Sequence, residues 1–219
     1  MDSNIKPYRP LEMMLDENLT RFEFKDFIAV WENFVPPSFC EELIKYYKET
    51  IDDGKSLYFS GEKIEDIGYG EGQNMYGGSL NRKDQSFMLN YINGELSYQV
   101  NQFLVSCTQH YVNEYNQLSS LKLVSSDQKF QRTKPGGGYH VWHYENASAN
   151  YALRELTWMI YLNDLPDGEG ETEFMYQRRR IKPSVGTVVF FPAAMTHVHK
   201  GNTVFTEDKY ILTGWHIKA

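Results

Sequence analysis

The chain has 219 residues and a formal net charge of −7, from 22 Lys and Arg against 29 Asp and Glu. That length suits one core, with or without an appendage, and the acidic balance speaks against a main task of holding nucleic acid or an anionic membrane. Aromatic residues at 15% exclude a disordered chain and fit a β-rich core, and no apolar run approaches the roughly 20 residues needed to cross a bilayer.

In chain order, residues 1–7 lack the charged-then-apolar pattern of a signal peptide. Val35-Pro36-Pro37 reads as stiff and extended, and Ser38-Phe39-Cys40-Glu41 has the form of a capping box. Phe39, Leu43, Tyr46 and Tyr47 then recur at helical spacing, which predicts an amphipathic helix over 39–49. Residues 53–84 are rich in Gly, Asp, Asn and Ser and read as a long irregular segment, a candidate lid. A second helix is expected over about 85–115, where Leu96, Val100, Phe103, Cys107 and Tyr111 form one apolar stripe. Cys107 on that stripe reads as a buried thiol. With Cys40 as the only other cysteine, a disulfide scaffold is excluded and a reducing, cytoplasmic setting is expected.

The second half changes character. Short β-forming runs at 121–124, 129–133, 139–144, 156–162, 173–176, 185–191, 196–198 and 209–217 are separated by Gly, Pro, Asn and Asp. Helices first and strands later predict an α+β, mainly β fold: one domain over 1–219, with helical support over about 1–118 on one outer face of a jelly-roll core over about 119–219. Gly136-Gly137-Gly138 reads as a hairpin, and Arg178-Arg179-Arg180 as a solvated loop.

Four of the six histidines fall in two short runs: His140 and His143, then His197 and His199. In His143-x-Glu145 an imidazole and a carboxylate two positions apart share one face of a strand. With one histidine from a distant strand they make two imidazoles and a carboxylate on one side of a metal, the arrangement of non-haem Fe(II) oxygenases. A lone His-x-Glu occurs by chance in many proteins, so the surrounding pattern decides its meaning.

That pattern continues with Tyr161-Leu162-Asn163, Gly170-Glu171-Thr172-Glu173-Phe174, Pro183-Ser184-Val185-Gly186-Thr187, Phe191-Pro192, His197 and His199, Lys209 and Trp215. In this order the motifs resemble the 2-oxoglutarate/Fe(II)-dependent dioxygenases, and within them the prolyl 4-hydroxylase-like branch. The resemblance is strong over about 129–217 and loose over 30–115. It implies a double-stranded β-helix and the cofactors Fe(II), 2-oxoglutarate and O2, with ascorbate as an optional auxiliary. It implies hydroxylation of an unactivated C–H in a peptide, protein or small-molecule substrate, and neither nucleic acid nor membrane as partner.

The resemblance places the metal on His143, Glu145 and a third ligand. His197 follows Pro192 at the family's interval; His199 precedes Lys209 at another interval the family uses. His197 is preferred, because the turn-rich stretch 201–208 after it absorbs an insertion at small cost, and His199 is the alternate. Family members mostly carry Asp where this chain has Glu145. Lys209 falls where a basic residue anchors the far carboxylate of 2-oxoglutarate, and Tyr161 where a phenol assists. Thr213, Thr157 and Tyr139 share inward parity with these residues, whereas Trp142 and Tyr144 are expected to pack under helices. Two other readings stay open at this point: a non-catalytic jelly-roll module binding peptide or sugar, and a cupin-like metal enzyme that does not use 2-oxoglutarate.

Overall fold

The computed structural model describes residues 21–51, 58–59, 62–63 and 82–219. The reading of residues 1–7 lies outside the described residues, as does most of the proposed lid over 53–84.

The elements are β1 (Arg21–Lys25), β2 (Ile28–Glu32), α1 (Pro37–Ile51), β3 (Tyr58–Phe59), β4 (Glu62–Lys63), β5 (Arg82–Lys83) and β6 (Gln85–Met88). There follow α2 (Leu89–Ile92), α3 (Gly94–Glu114), β7 (Leu123–Thr133), β8 (Gly138–His143), β9 (Arg154–Tyr161) and β10 (Thr172–Phe174). The chain closes with β11 (Arg179–Ile181), β12 (Val188–Pro192), β13 (His199–Gly201) and β14 (Lys209–Lys218). A seven-stranded sheet runs β1-β2-β12-β9-β14-β7-β6, a five-stranded sheet runs β11-β10-β13-β8-β5, and β3 pairs with β4. All pairings are antiparallel. The two larger sheets form a jelly roll, an α+β, mainly β fold.

Alternation along each strand builds two separate cores. On β2, β9 and β12, residues Ala29, Trp31, Trp158, Ile160, Val188 and Phe190 face the helices, where they pack with Cys40, Leu43 and Tyr47 of α1 and Leu96, Val100, Leu104, Cys107 and Tyr111 of α3. The intervening Ile28, Val30, Met159, Tyr161, Val189 and Phe191 face the other sheet and meet Phe174, Ile181 and Ile211. Each side chain in these rows is under a tenth exposed, so both faces of the seven-stranded sheet are dry where they are covered.

Several local expectations change. The first helix starts at Pro37, whose missing N–H costs nothing at a helix start, and the Pro36 carbonyl accepts from Phe39 and Cys40; Ser38 sits inside the first turn rather than capping it. Residues 85–88 are strand, not helix, because they extend the sheet beside β7. The long helix is capped instead by Asn93, whose Oδ1 accepts from the Leu96 N–H at 3.0 Å. β1, β2, β5 and β6 carry the first half of the chain into both sheets, so the helical support and the β core interleave rather than divide near residue 118. The Gly136–Gly138 turn links β7 to β8, which lie in different sheets, so it is a crossing and not a hairpin. Arg179 and Arg180 belong to β11, where Arg179 pairs with Glu23 at 2.5 Å and Arg180 with Glu173 at 3.3 Å. Trp142 lies beside Glu173, Phe174 and Met175 with the Lys200 ammonium 4.6 Å from its ring centroid, on the five-stranded sheet and away from the helices. Tyr144 lines the cavity described below.

Gly186, in the Pro-x-x-Gly-Thr motif, has a structural reason. Its φ is +73°, and an added Cβ would run into the Val35 carbonyl oxygen. Its own carbonyl accepts from Phe34 at 3.0 Å and Val35 at 2.9 Å, tying the segment before α1 to the sheet. Gly186→Ala is expected to cost about 2–4 kcal/mol, from left-handed strain and a clash that only backbone movement relieves. Urea unfolding followed by tryptophan fluorescence measures this, and an unchanged midpoint refutes it.

Candidate metal centre and its cavity

β8 and β13 are neighbours in the five-stranded sheet, and His143 is the register partner of His199. Their ring centroids lie 4.4 Å apart. Glu145 follows the end of β8 and is fixed by its backbone, whose N–H donates to the Ala193 carbonyl at 2.9 Å. One carboxylate oxygen, Oε1, lies 3.4 Å from His143 Nε2 and 3.4 Å from His199 Nε2. The three donor atoms fall within 4.8 Å of one another.

The opposite edges of both rings are already engaged. His143 Nδ1 lies 2.8 Å from the Val141 carbonyl, and His199 Nδ1 lies 2.9 Å from the His197 carbonyl. A carbonyl can only accept, so each Nδ1 carries a hydrogen and each ring turns Nε2 inward. Burial, aided by the neighbouring His199, lowers the His143 pKa and keeps that ring neutral. Burial alone would raise Glu145, but the hydrogen bonds and positive charge that His143 and His199 supply when Nε2 is protonated outweigh it and hold the carboxyl well below its usual range. With Nε2 of both rings unprotonated, two imidazole lone pairs and one anionic oxygen converge on one point. Three acceptors repel unless a cation lies among them, so this donor set fits a divalent metal with N/O preference and open positions.

His197 is not part of this group. Residues 195–197 form a 3₁₀ turn rather than a strand, so the shared parity of His197 and His199 does not hold. His197 Nε2 donates to the Asp26 carbonyl at 2.8 Å, its Nδ1 lies 3.0 Å from the Thr196 hydroxyl, and burial lowers its pKa. Both ring nitrogens are occupied, Nδ1 within the turn and Nε2 in tying the turn to the β1–β2 hairpin. The histidine that the fold brings beside His143 and Glu145 is therefore the alternate, His199, and not the preferred His197.

The metal group opens onto a cavity of about 770 Å³ between the two sheets. Lys209, Ile211, Thr213 and Trp215 on β14 line it, with Thr157 and Met159 on β9 and Lys129, Gln131 and Thr133 on β7. Tyr139 also lines it and stacks on His143, with centroids 3.8 Å apart. The Thr213 hydroxyl donates to the Trp158 carbonyl at 2.9 Å, whereas Thr157 Oγ1 is buried with no hydrogen-bond partner. Tyr161 is not in the wall. It is fully buried behind Thr172, to whose hydroxyl it donates at 2.6 Å.

Lys209 is 6% exposed. Its ammonium donates to the Gly170 carbonyl at 2.5 Å and lies 5.4 Å from the Tyr161 ring centroid. Burial pulls its pKa down to about 8, against the opposing pull of Glu171 and Asp84. An ammonium has three donors, so Lys209 keeps capacity for an anion in the cavity, and the orphaned Thr157 hydroxyl offers a further hydrogen bond. A metal at one end and a buried cation in the same cavity fit a chelating dicarboxylate.

Residues 128–217 match the family model of the 2OG-Fe(II) oxygenase superfamily. No curated protein matches the chain. Among solved structures, the viral collagen prolyl hydroxylase of Paramecium Bursaria Chlorella virus-1, in its 2OG complex, is 21% identical; 88% of this chain and 96% of that one superpose with a TM-score of 0.61. A prolyl-4-hydroxylase of Pseudomonas putida is 17% identical over 88% of this chain and 93% of its own, with a TM-score of 0.60. A prolyl hydroxylase of Trichoplax adhaerens, in complex with a hypoxia inducible factor oxygen degradation domain peptide fragment, is 16% identical over 88% and 84%, with a TM-score of 0.64. The segment that carries His143, Glu145, His199 and Lys209 is the one that matches the 2OG-Fe(II) oxygenase superfamily, and the fold is shared with prolyl hydroxylases. That match, with the convergence of His143, Glu145 and His199, supports a 2-oxoglutarate-dependent dioxygenase chemistry using Fe(II), 2-oxoglutarate and O2.

His199→Ala is expected to abolish Mn(II) binding measured by electron paramagnetic resonance. His197→Ala is expected to leave binding intact while lowering stability by about 1–3 kcal/mol, because it removes a buried ring and its hydrogen bond to the Asp26 carbonyl. Loss of Mn(II) binding in His197→Ala with retention in His199→Ala would reverse the assignment.

Proposed function

We propose that the protein hydroxylates a residue of a peptide or protein, with proline the first candidate. The observation that carries this reading is the inward convergence of His143, Glu145 and His199 beside a cavity that also holds the buried cation Lys209. Exposed Tyr91 and Tyr151 stand where the cavity meets solvent. Aromatic rims of this kind suit proline-rich chains, whose extended form is already low in entropy. The peptide bound to the Trichoplax relative supports the same class of substrate. We also place the protein in a reducing compartment, in keeping with the buried free thiols of Cys40 and Cys107.

In this reading His143, Glu145 and His199 hold the iron, and Lys209 receives the far carboxylate of 2-oxoglutarate with the Thr157 hydroxyl beside it. Bound iron with 2-oxoglutarate and O2 supplies an oxidant that turns a substrate C–H into C–OH and releases succinate and CO2. The chain's own part is placement. Met159 and Ile211 make the wall apolar and limit water, Tyr139 supports the His143 ring, and Tyr161 acts only through Thr172.

The Lys209 ammonium gives two expectations. First, 2-oxoglutarate affinity should be full below pH 8 and fall by up to about tenfold per pH unit above it, as Lys209 loses its proton; Lys209→Arg should flatten that profile. Second, a fall from 10.5 to about 8 corresponds to roughly 3 kcal/mol against the charged lysine in the fold. This penalty is complete below pH 8 and fades as pH rises toward 10.5. Lys209→Met should therefore raise stability at pH 7 by about 1–3 kcal/mol while removing 2-oxoglutarate binding. Calorimetric titration and chemical denaturation report the two effects. Unaltered 2-oxoglutarate affinity in Lys209→Met would refute the anchor.

The activity itself is tested by succinate release and by peptide mass, using proline-rich peptides with Fe(II), 2-oxoglutarate and O2. Peptide-stimulated succinate and the mass gain of one oxygen atom are expected, both lost in His143→Ala and Glu145→Gln. Turnover stimulated by free amino acids and not by peptides would overturn the peptide assignment while leaving the oxygenase chemistry standing.

A further inference from the structure

Glu145 has one methylene more than an aspartate would, and that methylene adds a torsion through which the carboxylate can turn. The structure holds that turn in check. Oε1 faces the two imidazoles, while Oε2 accepts from Trp215 Nε1 at 3.0 Å and from Arg154 Nη1 at 3.3 Å. The same Arg154 nitrogen donates to the Glu145 backbone carbonyl at 3.2 Å, so one guanidinium grips both ends of the residue. Arg154 is itself held. Its guanidinium carbon lies 3.4 Å from the Trp215 ring centroid and 4.0 Å from that of Tyr151, which places it between two aromatic faces. Side chains of Arg154 and Glu145 are 13% and 14% exposed, so solvent screens this pair little.

The geometry points to Arg154 and Trp215 as positioning residues that decide how many oxygens Glu145 gives the metal, an inference that rests on the oxygenase reading above. With Oε2 engaged by two donors, the chain offers the ion three atoms and no fourth. The remaining positions stay available to the keto acid and O2. Without the clamp, Oε2 is free to turn inward and compete with 2-oxoglutarate. The clamp thus makes the longer carboxylate behave as the shorter one does. Lysine cannot replace Arg154, because the role needs a flat cation that stacks and donates to two oxygens at once.

The test uses the full chain loaded with Mn(II), followed by electron paramagnetic resonance, with 2-oxoglutarate affinity of the loaded protein measured anaerobically by calorimetry. In Arg154→Gln and in Trp215→Phe, which keeps a ring but removes the N–H, Mn(II) binding is expected to persist while 2-oxoglutarate affinity falls about tenfold or more. In a Glu145→Asp background, which lacks the added torsion, Arg154→Gln is expected to reduce that affinity by less than about threefold. Unchanged 2-oxoglutarate affinity in both single variants overturns the clamp, and so does an equal loss in the Glu145→Asp background, which marks a merely structural role. Wild-type protein that takes up Mn(II) but no 2-oxoglutarate overturns the oxygenase reading and the clamp with it, whereas failure of the variants alone leaves that reading intact.

Discussion

Three lone pairs pointing at one another is an arrangement that a protein cannot hold cheaply. At His143, Glu145 and His199 the fold maintains it by using up every alternative: both Nδ1 hydrogens go to carbonyls two residues back, and the outer oxygen of Glu145 is taken by Trp215 and Arg154. What relieves the repulsion is a proton on one of the imidazoles or a metal ion at the centre. The cavity then has opposite polarities in one wall system, a set of acceptors around the metal and the buried ammonium of Lys209. A molecule with a chelating acid at one end and a carboxylate at the other can enter such a space in one orientation only.

The strain of this arrangement is separated from the parts that stabilise the fold. The larger apolar cluster lies between the helices and the outer face of the seven-stranded sheet, where Trp31, Trp158, Phe190, Leu43 and Val100 exclude water. That layer holds the sheet rigid from behind while its other face carries the polar cavity. Lys209 and Thr157 are buried there with donors and acceptors only partly used, at a cost that the layer behind them offsets.

The sequence spoke clearly where a period of two was sufficient. His143 and Glu145 read as facing one way because alternate residues do, and the inward row of Lys209, Ile211, Thr213 and Trp215 follows from the same rule. It misled where that period broke. The 3₁₀ turn at 195–197 removes His197 from the row, and nothing in Thr196-His197-Val198 announces a turn. Tyr161 shows a second limit: parity gives the face of a strand but not the depth, and its ring ends beyond the cavity, behind Thr172. The β1–β2 hairpin was missed because its turn uses Asp26 and Phe27 at positive φ, without the Gly or Asn that usually signals such a bend. Arg154 had no local signal at all; its meaning comes from Glu145 and Trp215, which only the folded chain brings beside it.

The alternation that divides the seven-stranded sheet into a helix side and a cavity side also divides its tolerance to change. On β9 and β14, Met159, Ile211 and Thr213 line the cavity, while Trp158, Ile160 and Leu212 between them belong to the packing behind. A lineage built on this scaffold can exchange every second residue of two strands and acquire a new substrate without rebuilding its foundations.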